Sequence, residues 1–226
     1  MVAASFKHVR VWVFDLDDTL YPPDIGVMPR LAARMTKVTA QALGIAPDAA
    51  AALCLAHWRD HGSTLSGLIA DHGIDPADWL ARVHDVSLDG VSPDPALADA
   101  IAALPGRRIV FTNGPRDWAD RILRARGLAA SFHAIYGTEH ARYLPKPQQA
   151  AYEAVFALDR LAPDRAAMFE DSAANLVVPH ALGMRTVLVG PAPQAGAHLH
   201  HRTADLAGFL SQLGPSHWPR GRPGPI

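Results

Sequence analysis

The stretch "VWVFDLDDTLYPP", residues 11–23, runs four apolar or aromatic residues straight into Asp15, Asp17 and Asp18, followed by Thr19. The apolar half has the length and residue types of a buried strand. The carboxylates have no place inside a core, so they mark the strand's end and call for a compensating charge. Asp15 and Asp17 are two apart, which on an extended backbone sends their side chains to opposite faces. For both to serve one site, the chain must turn after Asp15.

Three more runs read as buried parallel strands: "RRIVFT" (107–112), "AAMFED" (166–171) and "RTVLVG" (185–190), with "VRVWVFD" (9–15) as the first and "HAIYG" (133–137) as a weaker fifth. Helical patterns fall between them at 115–127, 147–159 and 172–183. Alternation of this kind predicts an α/β fold with a doubly wound parallel sheet. Residues 24–103 contain no strand pattern. Leu31, Met35, Val38 and Ala42 recur at helical spacing, and "PDAAAALCLAHWRDHG" and "PADWLARVHDV" continue it. The expectation is an all-helical cap at 22–95, inserted into a core made of 1–21 and 96–213. Proline-marked hinges fall near Tyr21–Asp24 and Ser92–Ala96. The Pro- and Gly-rich stretch 214–226 is expected to be disordered.

Composition limits the partners. The chain has 226 residues, 49% hydrophobic, and a formal net charge of −1, so no global field draws in nucleic acid or an anionic membrane. Cys54 stands alone, which rules out an internal disulfide. No run approaches the roughly 20 apolar residues of a membrane span. A cytoplasmic protein acting on a small molecule, as a monomer or homodimer, is the expectation.

In open α/β sheets ligands sit beyond the carboxyl ends of the strands. Asp15, the pair Thr112 and Asn113, and the pair Glu170 and Asp171 all fall at such ends. Crowded carboxylates repel unless a cation sits among them, and hard oxygen donors suit Mg²⁺. Thr112-Asn113-Gly114-Pro115 joins a strand to a helix, where free N–H groups attract anions. Lys146, between Pro145 and Pro147, can neutralise a phosphate or a phosphorylated carboxylate.

Together these residues resemble the haloacid dehalogenase-like hydrolase superfamily over about residues 9–190. The motifs appear as "DLDDT", the Thr of "FTNG", the Lys of "PKPQ" and the acidic pair of "FEDSAANL". "DLDDTLYP", the cap stretch 61–86 and "FEDSAANLVVPHALGMRTVLVG" look like the pyrimidine 5′-nucleotidase branch, although "HGSTLSGL" stands where a Tyr-Gly-Thr-Thr type of opening is expected. The resemblance implies a Mg²⁺-dependent phosphomonoesterase. Asp15 would be the nucleophile and Asp17 the acid and base. Thr112 and the Asn113 N–H would hold phosphoryl oxygens, and Lys146 would offset charge on Asp15 and phosphate. Asp15, Asp17 (through its carbonyl) and Asp171 would ligate the metal, with Glu170 supporting it. Dehalogenases of the superfamily lack an acid at position 17. The alternatives are a broad sugar-phosphate phosphatase, a phosphomutase, or a catalytically silent binding protein on the same fold.

In the cap, Ser63, Thr64 and Gly67 form either a polar loop over the substrate or a helix–helix turn. His84 and Asp85 either face the site or end a helix. Trp58 and Trp79 are expected in the cap core, and Cys54 as a small buried residue. Ser172 reads as a helix N-cap and Asn175 as a loop brace. His198, His200 and His201 read as a solvated loop rather than a metal site.

Overall fold

The computed structural model describes residues 2–191 and 195–214. The expected disordered stretch lies outside them except for Gly214. Six strands form one parallel sheet in the order β3-β2-β1-β4-β5-β6. They are β1 (Val11–Phe14), β2 (Arg107–Phe111), β3 (Ala134–Tyr136), β4 (Ala166–Glu170), β5 (Arg185–Val189) and β6 (His201–Thr203). The first five match the expectation. β6 is new, because "HRT" carries no apolar run to betray it.

Alternation along β1 shows why the sheet is covered on both sides. Trp12 and Phe14 belong to one apolar cluster, and Val13 belongs to the other. Phe14 stacks on Phe169 of β4 with ring centroids 4.7 Å apart. Phe111 meets Tyr152 edge-on from the other face, at 5.5 Å. Each fully buried side chain of this size contributes about 1.5–3 kcal/mol. The sheet's interior is therefore a rigid platform for whatever its strand ends carry.

The helices are α1 (Val27–Leu43), α2 (Pro47–His61), α3 (Thr64–His72), α4 (Pro76–Val83), α5 (Pro95–Ala102), α6 (Arg116–Ala125), α7 (Gln149–Asp159), α8 (Val177–Ala181) and α9 (Leu206–Ser211). α1 packs on α2 and α4, and α2 packs on α3. α5 instead packs against α9, beside the sheet. Apolar residues of α1, α3 and α4 (Leu31, Leu68, Trp79) join the same buried cluster as the sheet's Trp12 and Phe14. No single helix among the described residues is long and apolar enough to cross a membrane.

Several local expectations need correction. "HGSTLSGL" is not a loop. Only Gly62 and Ser63 are outside helix, because the Ser63 hydroxyl accepts from the Ser66 N–H at 3.0 Å and starts α3 as its N-cap. The expected helix 172–183 divides into a 3₁₀ turn at Ala173–Leu176 followed by α8. Ser172 sits at the N-cap position of that turn but makes no side-chain capping bond. Asn175 braces the segment through its carbonyl, which accepts from Tyr152 at 2.6 Å. Trp58 is 63% exposed, whereas Trp79 is buried and donates to Thr39 at 3.3 Å. Cys54 is buried as expected. His201 is not in a solvated loop, because it begins β6, whereas His200 stays exposed in the bend before that strand, as expected. His200 Nδ1 lies 2.8 Å from the Thr186 hydroxyl, and the His201 ring packs against Phe6 and Phe209.

The chain next to both expected hinges meets at one side chain. Arg126, 6% exposed, donates to the carbonyls of Leu20 at 3.1 Å and Ser92 at 2.7 Å, and to Asp94 Oδ2 at 2.7 Å. Asp94 in turn caps α5 by accepting from the Leu97 N–H. Truncating Arg126 leaves two carbonyls and the partly exposed Asp94 without their donor, at a cost of about 1–3 kcal/mol. Arg126→Met is therefore expected to lower unfolding free energy by about that amount in urea titration. A loss under about 1 kcal/mol would show that Arg126 does not tie these segments together.

Candidate active site

β1 lies between β2 and β4, at the point where the strand order reverses. That topology places the residue after β1 beside the residues that end its two neighbours. The register pairs Phe14 with Val110 on one side and with Phe169 on the other. Asp15, Thr112 and Glu170 therefore converge although they are far apart in sequence.

Lys146 Nζ sits at the centre. It donates to Asp15 Oδ1 at 2.5 Å, to Glu170 Oε2 at 2.7 Å and to the Phe111 carbonyl at 3.0 Å. Burial disfavours its charge, but Asp15 and Glu170 outweigh that and raise its pKa above the ordinary lysine value. The carboxyl pKa values rise too, which for an acid disfavours the charged form. Burial, then Glu170, pushes Asp15 up to about 7 despite Lys146. Burial pushes Glu170 up to about 7, with Lys146 opposing and Asp171 adding to the rise. Asp171 is also raised, chiefly by burial. One lysine is too little positive charge for two buried carboxyls and a half-buried third.

That imbalance is the test of whether Mg²⁺ fits. Asp15, Glu170 and Asp171 each offer an oxygen within 4.8 Å of the other two. The donors are all hard oxygens, and the missing charge is positive, so the residues suit a hard divalent cation. Glu170 is already held by Lys146 and by the Ser172 N–H at 3.2 Å, which suits a supporting role better than a direct one.

Asp17 is turned away from this group. Tyr21 donates to its Oδ1 at 2.5 Å, and Trp118 Nε1 donates to the same oxygen at 3.0 Å. Both donors use Oδ1, so Oδ2 is the oxygen left to carry a proton. Burial, then Asp15, pushes Asp17 up to about 6 despite those two donors. A carboxyl with a pKa this close to neutrality can both give and take a proton. Neither Tyr21 nor Trp118 was foreseen, because nothing in a single sequence ties them to position 17.

Thr112 is buried, and its hydroxyl oxygen accepts from the Gly114 N–H at 3.0 Å, leaving the hydroxyl proton free to donate. The Asn113 side chain is engaged locally. Oδ1 accepts from the Lys146 N–H at 2.8 Å, and Nδ2 donates to the Lys146 carbonyl at 3.3 Å. It braces the lysine loop, and only its backbone N–H is left for an anion.

Of the two cap residues expected to bind substrate, Thr64 is corrected. Its hydroxyl is buried and donates to the Cys54 carbonyl at 3.0 Å. The Ser63 hydroxyl is committed to capping and to Ser66 Oγ at 2.8 Å. The turn itself is nonetheless near the site: a Cβ on Gly62 would lie 3.7 Å from Pro145 Cγ. His84, in contrast, does both things weighed for it. It ends α4, and its ring packs on Trp118 with centroids 5.4 Å apart. Nδ1 lies 2.9 Å from the Leu80 carbonyl, which can only accept, so Nδ1 carries the proton. Burial lowers the ring's pKa to about 4, leaving Nε2 a neutral acceptor beside Gly114. Asp85 lies on the surface, paired with Arg34 at 3.1 Å.

A family model described as haloacid dehalogenase-like hydrolase matches residues 9–183, most of the chain. The chain belongs to that family. A curated relative, Phosphate metabolism protein 8 of Saccharomyces cerevisiae, is 25% identical over 79% of this chain; the match spans 61% of the relative's length. Among solved structures, the haloacid dehalogenase-like fold recurs in CbbY from Rhodobacter sphaeroides in complex with phosphate. It has a TM-score of 0.63 and 19% identity, and covers 92% of this chain and 98% of that one. YfnB from Bacillus subtilis, described as a putative hydrolase of this class bound to magnesium, gives a TM-score of 0.57 and 17% identity, with 91% and 98% covered. At these identities the likeness establishes the fold of this hydrolase.

Proposed function

We propose that this hydrolase is a Mg²⁺-dependent phosphomonoesterase that works through an aspartyl-phosphate on Asp15. The substrates would be pyrimidine nucleoside 5′-monophosphates or similarly small phosphometabolites. The observation that carries the reading is the division of labour between two carboxyls. Asp15 is held by Lys146, whereas Asp17 has both donors on Oδ1 and Oδ2 left for a proton. The phosphate and magnesium recorded in the similar structures support it, as does the curated relative's name.

In the first step a carboxylate oxygen of Asp15 attacks phosphorus, and the ester P–O bond breaks. The departing oxygen takes the proton from Asp17. In the second step Asp17, now ionised, takes a proton from water as the water oxygen attacks phosphorus. The bond to Asp15 breaks, and phosphate leaves. Thr112 and the Asn113 N–H donate to phosphoryl oxygens, and Lys146 offsets charge on Asp15. Asp15, Asp171 and the Asp17 carbonyl would hold Mg²⁺, with Glu170 beside them; when bound, it would neutralise the phosphate's charge. An alkoxide leaves poorly without a proton and a halide needs none, so Asp17 favours phosphate esters over haloacids.

Selectivity falls to the proposed cap at 22–95. A cleft of about 370 Å³ opens between α4 and α6, lined by Leu80, His84, Trp118, Arg121 and Tyr143. Arg121 donates to the His84 carbonyl at 2.8 Å and lies over the Trp118 ring, tying the cleft's two walls. The volume is near the lower end for ligand pockets, which suits a pyrimidine better than a purine. The expected result is higher kcat/KM for uridine and cytidine monophosphates than for adenosine monophosphate. His84→Ala should raise KM for nucleotides about tenfold and leave a small generic ester nearly unchanged. Chelation should abolish all turnover, and added Mg²⁺ should restore it. Equal turnover of purine and pyrimidine esters would defeat the nucleotide assignment. A preference for hexose phosphates would favour the sugar-phosphate alternative.

A further inference from the structure

A second cluster of chemistry lies in the helical segment, apart from the catalytic carboxylates. His57 and His61 stand four residues apart on α2, so their rings share a face. Asp71, near the end of α3, reaches the same place. Its Oδ2 lies 3.6 Å from His57 Nδ1 and 3.4 Å from His61 Nε2. One donor atom from each of the three falls within 4.8 Å of the other two.

Those separations decide between two readings. They are long for N–H···O hydrogen bonds, which cluster at about 2.9–3.0 Å. They are close to the roughly 3.3 Å between neighbouring ligands of a tetrahedral cation bonded at about 2.0–2.1 Å. His57 is 4% exposed, and its Nε2 is buried with no partner. The ring is admitted only because residue 67 is glycine: a Cβ there would come 2.2 Å from His57 Cγ. The His72 ring lies 5.5 Å from that of His57.

We propose that His57, His61 and Asp71 bind one divalent cation of the Zn²⁺ type, with His72 or water completing a four-coordinate shell. Two imidazoles and one carboxylate suit zinc and disfavour Mg²⁺, which prefers oxygen. The cation would staple α2 to α3. The turn joining them is Gly62–Ser63, which adjoins Pro145 and Gln148 of the lysine loop. Zinc would therefore fix the turn where the helical segment meets that loop. The proposal stands independently of the phosphatase reading.

The test is calorimetric titration of the chelator-stripped full chain with Zn²⁺, in excess Mg²⁺ to occupy the carboxylate site. One Mg²⁺-resistant zinc site is expected. His61→Ala and Asp71→Asn, both at partly exposed positions, should each weaken it by more than the about 10–100-fold typical of losing an outer-shell partner. Circular dichroism checks that each variant is folded. Asp15→Asn should bind zinc as the wild type does. The ring resonances of His57 and His61 should shift with Zn²⁺ and not with Mg²⁺. Absence of a Mg²⁺-resistant site, or undiminished affinity in the folded variants, would overturn the proposal. So would loss of the site in Asp15→Asn alone.

Discussion

Asp15→Asn is expected to reduce phosphate-ester turnover by on the order of 10⁴-fold or more, with the fold intact. The amide keeps the shape of the side chain but cannot form an acyl phosphate, because its lone pair is withdrawn into the C–N bond. The fold should survive because Lys146 keeps Glu170 at 2.7 Å and the Phe111 carbonyl at 3.0 Å. The substitution also removes one of two buried carboxyls crowded on a single lysine, so urea titration without metal should show no loss of stability. Turnover within tenfold of wild type would remove Asp15 from the nucleophile's role.

Asp17→Asn carries two expected results with one cause. The proton on the free Oδ2 serves the leaving group, so the loss should depend on how poor that group is. A nucleoside monophosphate should lose about 10²–10⁴-fold, and p-nitrophenyl phosphate, whose leaving group is stable as an anion, far less. Equal losses would mean that Asp17 is not the general acid. The second result concerns stability. The folded-state pKa of about 6 lies above the ordinary aspartate value of 3.8, so the folded protein binds the proton more tightly than the unfolded chain does. The associated stability is fully present below about pH 4 and is lost as pH rises through about 6. Above that range the ionised carboxylate costs the fold about 2–3 kcal/mol. Asparagine can accept from Tyr21 and Trp118 without ionising. In metal-free buffer Asp17→Asn should therefore be more stable than wild type at pH 8 by about that amount, and indistinguishable from it at pH 4. A gap that does not change with pH would contradict the assignment of this charge.

The strand-end part of the candidate site was readable because each of its residues follows an apolar run long enough to identify as a strand, whereas Lys146 was marked only by its flanking prolines. β1, β2 and β4 announce themselves, and the topology of parallel sheets then collects Asp15, Thr112 and Glu170. The supports were not readable. Arg126 reaches Leu20 and Ser92 across more than thirty residues of chain in either case, and an arginine in a polar helix end gives no sign of it. Tyr21 and Trp118 share an acceptor only because α6 folds back against the first loop. Ser63 and Thr64 misled for a chemical reason. The hydroxyls that can contact a ligand can equally cap a helix or bond a carbonyl, and here the local partners took them. His201 misled in the same way, since an imidazole packs between aromatic rings as readily as it meets water.

The central claim is a covalent phosphoryl group on Asp15. It is tested most directly by quenching the enzyme in acid during turnover of a nucleoside monophosphate with Mg²⁺, then reducing with borohydride and sequencing the peptides by mass spectrometry. An aspartyl-phosphate is reduced to homoserine, so the account predicts homoserine at position 15 and at no other aspartate, dependent on substrate. Substrate-dependent reduction at Asp17 or another carboxyl, or none at Asp15 while phosphate is being released, would contradict it.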